Sequence, residues 1–317
     1  MSSNQEQPLS ELTALILINE HAGTVRTMGA EAVAKKISEA LTPHFRIAKI
    51  KLFSGDIAEA FKKEAAGEKF DVVVAGGGDG TLASAARLVL DHPELILGVL
   101  PLGTMNLITQ SLGFAPTLDA TLALYREARI SSVDVAKAND QIFLHQFSLG
   151  LQPKMARLRE HIGYRSRLTK MIGSVRAFMA LAFRGRHVRV DMTTDNSVRR
   201  VRAPLLVVTN NLLSEKDGYR IAKSMEGGVL GIYELKELSL SGLFGIGRDY
   251  LARRIHENPL VEVSSAKSVT LSKNTRRSQT MKTAATIDGE IVYFDFPVKI
   301  EVQSKSLRVL RPAPPQA

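Results

Sequence analysis

Cysteine and tryptophan are both absent from this chain of 317 residues. Without cysteine there are no disulfides, no thiolate metal sites and no cysteine nucleophile. Without tryptophan, and with aromatics at only 6%, the base-stacking platforms of nucleic-acid binders are not suggested. No apolar run approaches the ~20 residues of a membrane-spanning helix. Met1 to Glu11 is polar and acidic and carries no signal-peptide pattern. A cytoplasmic protein is the resulting expectation. Two nucleotide fingerprints are missing as well: neither G-x-x-x-x-G-K-[ST] nor G-x-G-x-x-G occurs.

What is present points to a soluble, globular chain. Hydrophobic residues make up 44% and mean hydropathy is near zero, enough for about two domains. Net charge is +10 and unevenly placed. Residues 151–220 hold 15 Lys/Arg and 5 Asp/Glu, while the remainder holds 27 of each sign. One region therefore carries the whole excess. Such an excess suits nucleic acid, an anionic membrane surface or a phosphorylated substrate. No recognition motif supports nucleic acid.

The first part of the chain alternates strand and helix patterns. Leu12–Asn19, Phe45–Phe53, Val72–Ala75 and Leu95–Pro101 read as strands. Met28–Leu41, Ile57–Ala66, Leu82–Leu90, Thr104–Leu112 and Leu118–Arg126 read as helices. That series predicts a doubly wound parallel sheet. Ligands bind such sheets beyond the carboxyl ends of the strands. Asn19–Thr24, Gly76–Thr81 and Pro101–Asn106 fall at those ends.

After about residue 131 short strands follow one another. Ile142–Ser148, Val188–Thr193, Ala203–Val208, Val298–Val302 and Leu307–Leu310 are examples. The fold class expected is α/β plus β: an N-terminal α/β domain over residues 1–130, then an antiparallel, sandwich-like β domain over 131–306. A strand near 307–312 is free to add to the first domain. A helical insert is expected at Arg165–Arg184, and the tail from Pro312 is read as loose.

The segment Gly76-Gly-Gly-Asp-Gly-Thr81 joins a buried strand to a helix. Glycines let backbone N–H groups approach a phosphate, and a helix start adds a positive dipole end. Asp79 would repel phosphate unless a metal ion or a hydrogen-bond network intervenes. In Pro101-Leu-Gly-Thr-Met-Asn106, Thr104 and Asn106 offer polar groups and Gly103 permits close approach. Taken alone, that segment is as well explained as a structural turn.

Together these two segments resemble the diacylglycerol-kinase catalytic-domain family, which includes soluble bacterial lipid kinases and the sphingosine and ceramide kinases. Asn19-Glu-His-Ala-Gly-Thr24 resembles its first-strand loop. Phe143-Leu-His-Gln-Phe-Ser-Leu-Gly150 resembles the first strand of its β domain, and Asp288-Gly-Glu290 its late motif. The resemblance extends over nearly the whole chain. NAD kinases share the Gly-Gly-Asp-Gly-Thr element, so that element alone would not decide.

The resemblance implies an NAD-kinase-like first domain and ATP-dependent phosphorylation of a lipid hydroxyl, with ATP between the domains. Gly77, Gly78, Asp79, Gly80 and Thr81 would hold its phosphates, with Ser84, Thr104 and Asn106 nearby. Mg²⁺ would neutralise charge during transfer, with Asp79 in its aspartate–water–metal network. Glu290 would be the general base and Asp288 its partner. Taken alone, Asp288-Gly289 is a hairpin-turn pair.

A second Mg²⁺ is implied at Lys223-Ser-Met-Glu-Gly-Gly228, through the carbonyls of Lys223 and Gly228 and the carboxylate of Glu226. The family pattern there is Lys-x-x-Asp-Gly, and the longer glutamate sits against a strict octahedral requirement. Two further departures are Ala83-Ser84, where Asn-Glu is common, and Met105, where Ala is common. The partner implied is a lipid at an anionic membrane surface, reached by peripheral attachment through the basic 165–184 stretch. Monomer and homodimer are both compatible with the sequence. Two other readings stay open: an NAD-kinase-like enzyme of a soluble substrate, and a catalytically silent lipid-binding regulator.

Overall fold

The computed structural model describes residues 8–161, 187–236 except 216, 254–273 and 282–313, with isolated positions between 242 and 252. The helical insert expected over Arg165–Arg184 and the tail beyond 313 lie outside the described residues. The chain forms two compact units, residues 1–134 with 304–317 and residues 135–303.

Unit 1 is built on a parallel sheet. β1 (Thr13–Asn19) lies between β2 (Ile47–Phe53) and β3 (Val72–Gly77), β4 (Ile96–Pro101) pairs β3, and the chain's last strand pairs β4 at Val309–Leu97. The helices are α1 (Gly23–Met28), α2 (Ala30–Leu41), α3 (Ile57–Glu64), α4 (Asp79–Asp91), α5 (Leu107–Ser111) and α6 (Leu118–Leu124). Every residue of β3 and β4 is buried, and so is β1 up to Ile18. Helix-covered parallel strands require apolar side chains on both faces, which explains the unbroken Val, Ile and Leu runs. α2 buries Val33, Ile37 and Leu41, one residue per turn. Asp56 caps α3, accepting from the N–H of Ala58 at 2.6 Å. The buried Tyr125 hydroxyl accepts from Val99 N–H at 2.8 Å and donates to Val99 C=O at 2.9 Å, satisfying β4 from its side.

Two helix expectations change here. The helix read over Met28–Leu41 is divided, because Gly29 has φ +89° and separates α1 from α2. The helix read from Thr104 begins only at Leu107, because Asn106 is left-handed at φ 51°.

Unit 2 is antiparallel. Its strands are β5 (Arg129–Ala138, entering from unit 1), β6 (Gln141–Phe143), β7 (Gln146–Gly150), β8 (Val188–Thr194), β9 (Val198–Ala203), β10 (Leu205–Asn210), β11 (Leu230–Leu235), β12 (Val261–Ala266), β13 (Ser268–Ser272), β14 (Thr283–Ile287), β15 (Glu290–Phe294) and β16 (Val298–Arg311, which passes into unit 1 at Ser304). α7 (Leu151–His161) follows β7 directly. One sheet runs β12-β11-β10-β7-β14-β15; another set runs β16-β13-β8-β9. Phe147, Leu206 and Ile232 of the first meet Met192, Leu271 and Ile300 of the second in one buried core.

Three strand expectations change in unit 2. Ile142–Ser148 is two strands, because the chain turns at Leu144 and His145. Val298–Val302 and Leu307–Leu310 are one strand of 14 residues, which accommodates Lys305 at φ 52°. Strands β9 and β15 carry alternating charge or follow a turn pair, and the sequence pattern does not single them out.

Candidate active site

Three loops leave the carboxyl ends of β1, β3 and β4, and backbone bonds tie them together. Leu102 N–H donates to Gly77 C=O at 3.0 Å, and Thr24 N–H donates to Leu102 C=O at 3.0 Å. Asn19 Nδ2 donates to Thr81 Oγ1 at 3.0 Å. The expected phosphate loop is not a free loop. Gly76 and Gly77 end β3, Gly78 is the N-cap, and Asp79 opens α4, which starts three residues before the Leu82 expected from the sequence. Gly78 has no side chain to cap the helix, and the N–H groups of Asp79, Gly80 and Thr81 stand at its open first turn.

The glycines are required by contact. A Cβ on Gly77 would lie 2.5 Å from Thr81 Cβ, and one on Gly103 would lie 2.5 Å from Gly78 Cα. The β3 and β4 loops therefore touch backbone to backbone, leaving a surface without side chains at the head of α4. A polyanion approaching there meets peptide N–H groups and the positive end of a helix of 13 residues. The chemistry of that cradle suits a phosphate group.

The polar side chains of these loops divide by duty. Asp79 Oδ1 accepts from Ile108 N–H at 2.9 Å and so caps α5 from another element. Asn106 is buried, and its amide is bound to its own loop and to the segment after α5. It accepts from Gly103 N–H at 3.0 Å and donates to the carbonyls of Gly103 and Pro116 at 3.1 and 3.0 Å. Asn106 thus braces the loop. Ser84 and Thr104 are exposed.

Asp288 and Glu290 share a hairpin of unit 2. Asp288 (φ 47°) and Gly289 (φ 94°) form a two-residue turn, with Ile287 paired to Glu290. Two left-handed residues in succession give the turn whose twist suits a hairpin. The Asp288 carboxylate accepts from the N–H groups of Leu144, His145 and Gln146 at 2.9, 2.9 and 2.8 Å. It spans the break between β6 and β7. Burial pushes its pKa above the ordinary aspartate value, while those three N–H donors and the nearby His145 act in the opposite direction. Glu290 is exposed at the head of β15.

Lys223, Glu226 and Gly228 lie on the segment between β10 and β11. Lys223 N–H donates to Leu212 C=O at 2.8 Å, Glu226 N–H donates to Ser224 Oγ at 3.1 Å, and Met225 between them is buried at 1% exposure. Gly228 has φ +64°. Among the described residues no three His, Asp or Glu side chains cluster as a metal-binding group.

Sequence reasoning named the first-strand loop without assigning Asn19 a task. Its signal was the polar residue closing an apolar strand. The role of Leu144–Gln146 as the seat of Asp288 had no local signal, because 142 to 144 residues separate the partners.

Residues 13–138 match the family model described as the diacylglycerol kinase catalytic domain. A Streptococcus pneumoniae protein described as "Putative lipid kinase" is 25% identical over 303 residues, covering 93% of this chain and 97% of that one. A Yersinia enterocolitica protein described as "Probable lipid kinase YegS-like" is 33% identical over 141 residues, or 44% of this chain. That match takes in 46% of the Yersinia protein, just under half its length. The fold is shared with a crystal structure titled a putative diacylglycerol kinase from Bacillus anthracis, at TM-score 0.71 and 21% identity over 98% of both chains. The stretch that the family model matches, residues 13–138, carries all three strand-end loops and is similar to the diacylglycerol kinase catalytic domain.

Proposed function

We propose that this chain is an ATP-dependent lipid kinase that phosphorylates a lipid hydroxyl, diacylglycerol or a related lipid alcohol. The observation that carries the reading is the contact between Gly78 and Gly103 at the open end of α4. A strand-to-helix turn alone needs no such double glycine approach. In this reading the N–H groups of Gly78 to Thr81 hold the ATP phosphates, with Ser84 and Thr104 at the rim. Asn106 keeps the β4 loop in place, and Asn19 keeps Thr81 in place.

ATP with Mg²⁺ supplies the phosphoryl group and neutralises part of its charge. Asp79, whose Oδ1 accepts from Ile108 N–H, would have Oδ2 left for the water shell of such an ion. Glu290 accepts the proton of the lipid hydroxyl, and Asp288 holds the hairpin that presents it. A further Mg²⁺ on the Lys223–Gly228 segment would be held by two carbonyls and the Glu226 carboxylate. With two carbonyls and one carboxylate oxygen, about half of a six-oxygen shell would fall to water.

The acceptor is a lipid rather than a soluble molecule in this reading because the whole net charge resides in unit 2 and its insert. That charge suits peripheral attachment to an anionic bilayer.

The test is incubation with labelled ATP, Mg²⁺ and a total lipid extract, run for the native chain and for Glu290→Gln. The native chain should label a lipid. Glu290→Gln should transfer 10²–10⁴-fold more slowly, the usual contribution of a general base, with an unchanged melting temperature. An unlabelled extract sinks the lipid-kinase reading, and full activity in the variant sinks the role of Glu290.

A further inference from the structure

The turn that seats Asp288 carries a titratable group of its own. His145 lies between β6 and β7 and is the buried histidine among the described residues, at 9% exposure. Its backbone is held from two sides. Its N–H donates to Asp288 Oδ1 at 2.9 Å, and its C=O accepts from Asn210 N–H, at the end of β10, at 3.0 Å. Asn210 is buried as well, and its Nδ2 donates to Leu144 C=O at 3.2 Å. Asp288 N–H donates back to Gln146 C=O at 2.9 Å. Glu290 stands on the far side of the same turn, paired with Ile287.

A carboxylate taken out of water is costly unless hydrogen bonds and a positive charge compensate it. Burial raises the pKa of Asp288; the three N–H groups oppose that rise, and so does the charge of a protonated His145 ring. Other groups near the break are neutral or placed elsewhere. Gln146 and Asn210 are uncharged. Lys137 and Asp140 face each other at 3.9 Å at the opposite end of β6. α7 packs against β7 and β15, and its Lys154 shares a cavity wall with Leu149 and Gly150 at the far end of β7. On the hairpin itself Glu290 is exposed. Among the described residues, His145 is the group placed to supply positive charge to Asp288.

We propose that His145 is a positioning residue: its protonated imidazole pairs with the Asp288 carboxylate and keeps the hairpin that carries Glu290 seated on the break between β6 and β7. The effect on transfer rests on the lipid-kinase reading; the pair itself does not. A histidine that gains an anionic partner in the fold adds stability that is fully present below its unfolded pKa, about 6.5, and is lost as pH rises through the folded value. The hairpin should therefore be held best on the acid side of that range and loosen on the alkaline side.

Two measurements on the full chain need no lipid. In an NMR titration of the histidine rings, Asp288→Asn should lower the proton affinity of His145 at least about tenfold; the His145 signal is the one missing from His145→Gln. In urea, raising the pH from about 6 to about 9, across the ordinary histidine range, should lower the midpoint of the native chain more than that of His145→Gln. The kinase assay then separates charge from shape. His145→Gln should lower kcat by about tenfold to a hundredfold, the cost of a misplaced group. It should leave KM for ATP unchanged and lack the alkaline decline of native transfer. Asn210→Ala loosens the same turn without altering its charge, so it should slow transfer and keep that decline. An unchanged proton affinity in Asp288→Asn overturns the pair, as do equal urea shifts in the native chain and His145→Gln; if Asp288→Asn does not fold, the urea comparison decides. An alkaline decline that is absent from the native chain, or lost equally in Asn210→Ala, removes the positioning role. No labelled lipid from the native chain ends the kinase reading and leaves the pair to the two lipid-free measurements.

Discussion

Asp79 and Asp288, the glycine-flanked aspartates of unit 1 and of unit 2, are used by their own units to very different degrees. In unit 1, Asp79 gives one oxygen to one backbone N–H, that of Ile108. In unit 2, Asp288 gives both oxygens to three backbone N–H groups. Asp288 is thereby committed to architecture: it receives the peptide donors at the break between β6 and β7, which would otherwise lose their acceptor. Asp79 commits only one of its two oxygens to a backbone N–H among the described residues. The lesson is that residue type and a neighbouring glycine do not separate a structural carboxylate from a chemical one. The number of N–H groups already bound to it measures how far the fold itself uses it.

The sharpest way to break this comparison is Asp288→Ala. Three partly buried N–H groups would lose their acceptor, at about 1–3 kcal/mol each when left unsatisfied. Water reaches part of the site and the terms do not add, so a loss of about 3 kcal/mol or more is expected in urea denaturation. Alanine at φ 47° adds left-handed strain. A loss under ~1 kcal/mol, the ordinary size of one net hydrogen bond, would put Asp288 on the same footing as Asp79.

The glycines extend the contrast at a smaller magnitude. Gly103→Ala would drive a Cβ to 2.5 Å from Gly78 Cα and 2.9 Å from Asn106 Oδ1. Backbone cannot yield as a side-chain tip can, so about 1–3 kcal/mol of overpacking is expected, together with weakened ATP binding in calorimetry. Gly289→Ala meets nothing within 4 Å and suffers only its φ of +94°. It should cost about 1–2 kcal/mol of backbone strain and leave ATP affinity alone. Equal ATP affinity in both variants would detach the Gly78–Gly103 contact from nucleotide binding.

The parallel half of the fold was legible because its signals are local. Val72–Ala75 and Leu95–Pro101 are continuous apolar runs, and burial on both faces leaves a strand no alternative composition. Helix starts were misplaced where one residue's dihedral decides, at Gly29 and Asn106. The loops of the site were legible through their glycines. What those glycines touch was not, since Gly78 and Gly103 are neighbours only after β3 and β4 pair. In unit 2 the hairpin at Asp288-Gly289 was readable as a turn pair, while its three N–H donors come from more than a hundred residues away. The interruption of the strand at Leu144 and His145 shares that cause: the segment is apolar enough to continue, and the carboxylate from the hairpin is what receives its turned N–H groups.

Asp79→Asn makes the smallest change to the fold and tests the other side of the comparison. The amide oxygen of asparagine can still accept from Ile108 N–H, so α5 keeps its cap. What is lost is the charge on that bond and its favourable position in the first turn of α4. Each is a surface-weighted effect of ~1 kcal/mol or less, so the shift in urea midpoint should be slight. On the proposed kinase reading, phosphoryl transfer should nevertheless fall sharply, because a neutral amide would accept from a water on Mg²⁺ more weakly than a carboxylate does. A near-native stability with lost transfer would separate Asp79 from Asp288 by function as well as by geometry. Near-native stability with undiminished transfer would leave Asp79 as the cap of α5 and nothing more. The two aspartates would then differ only in how many peptide groups they hold.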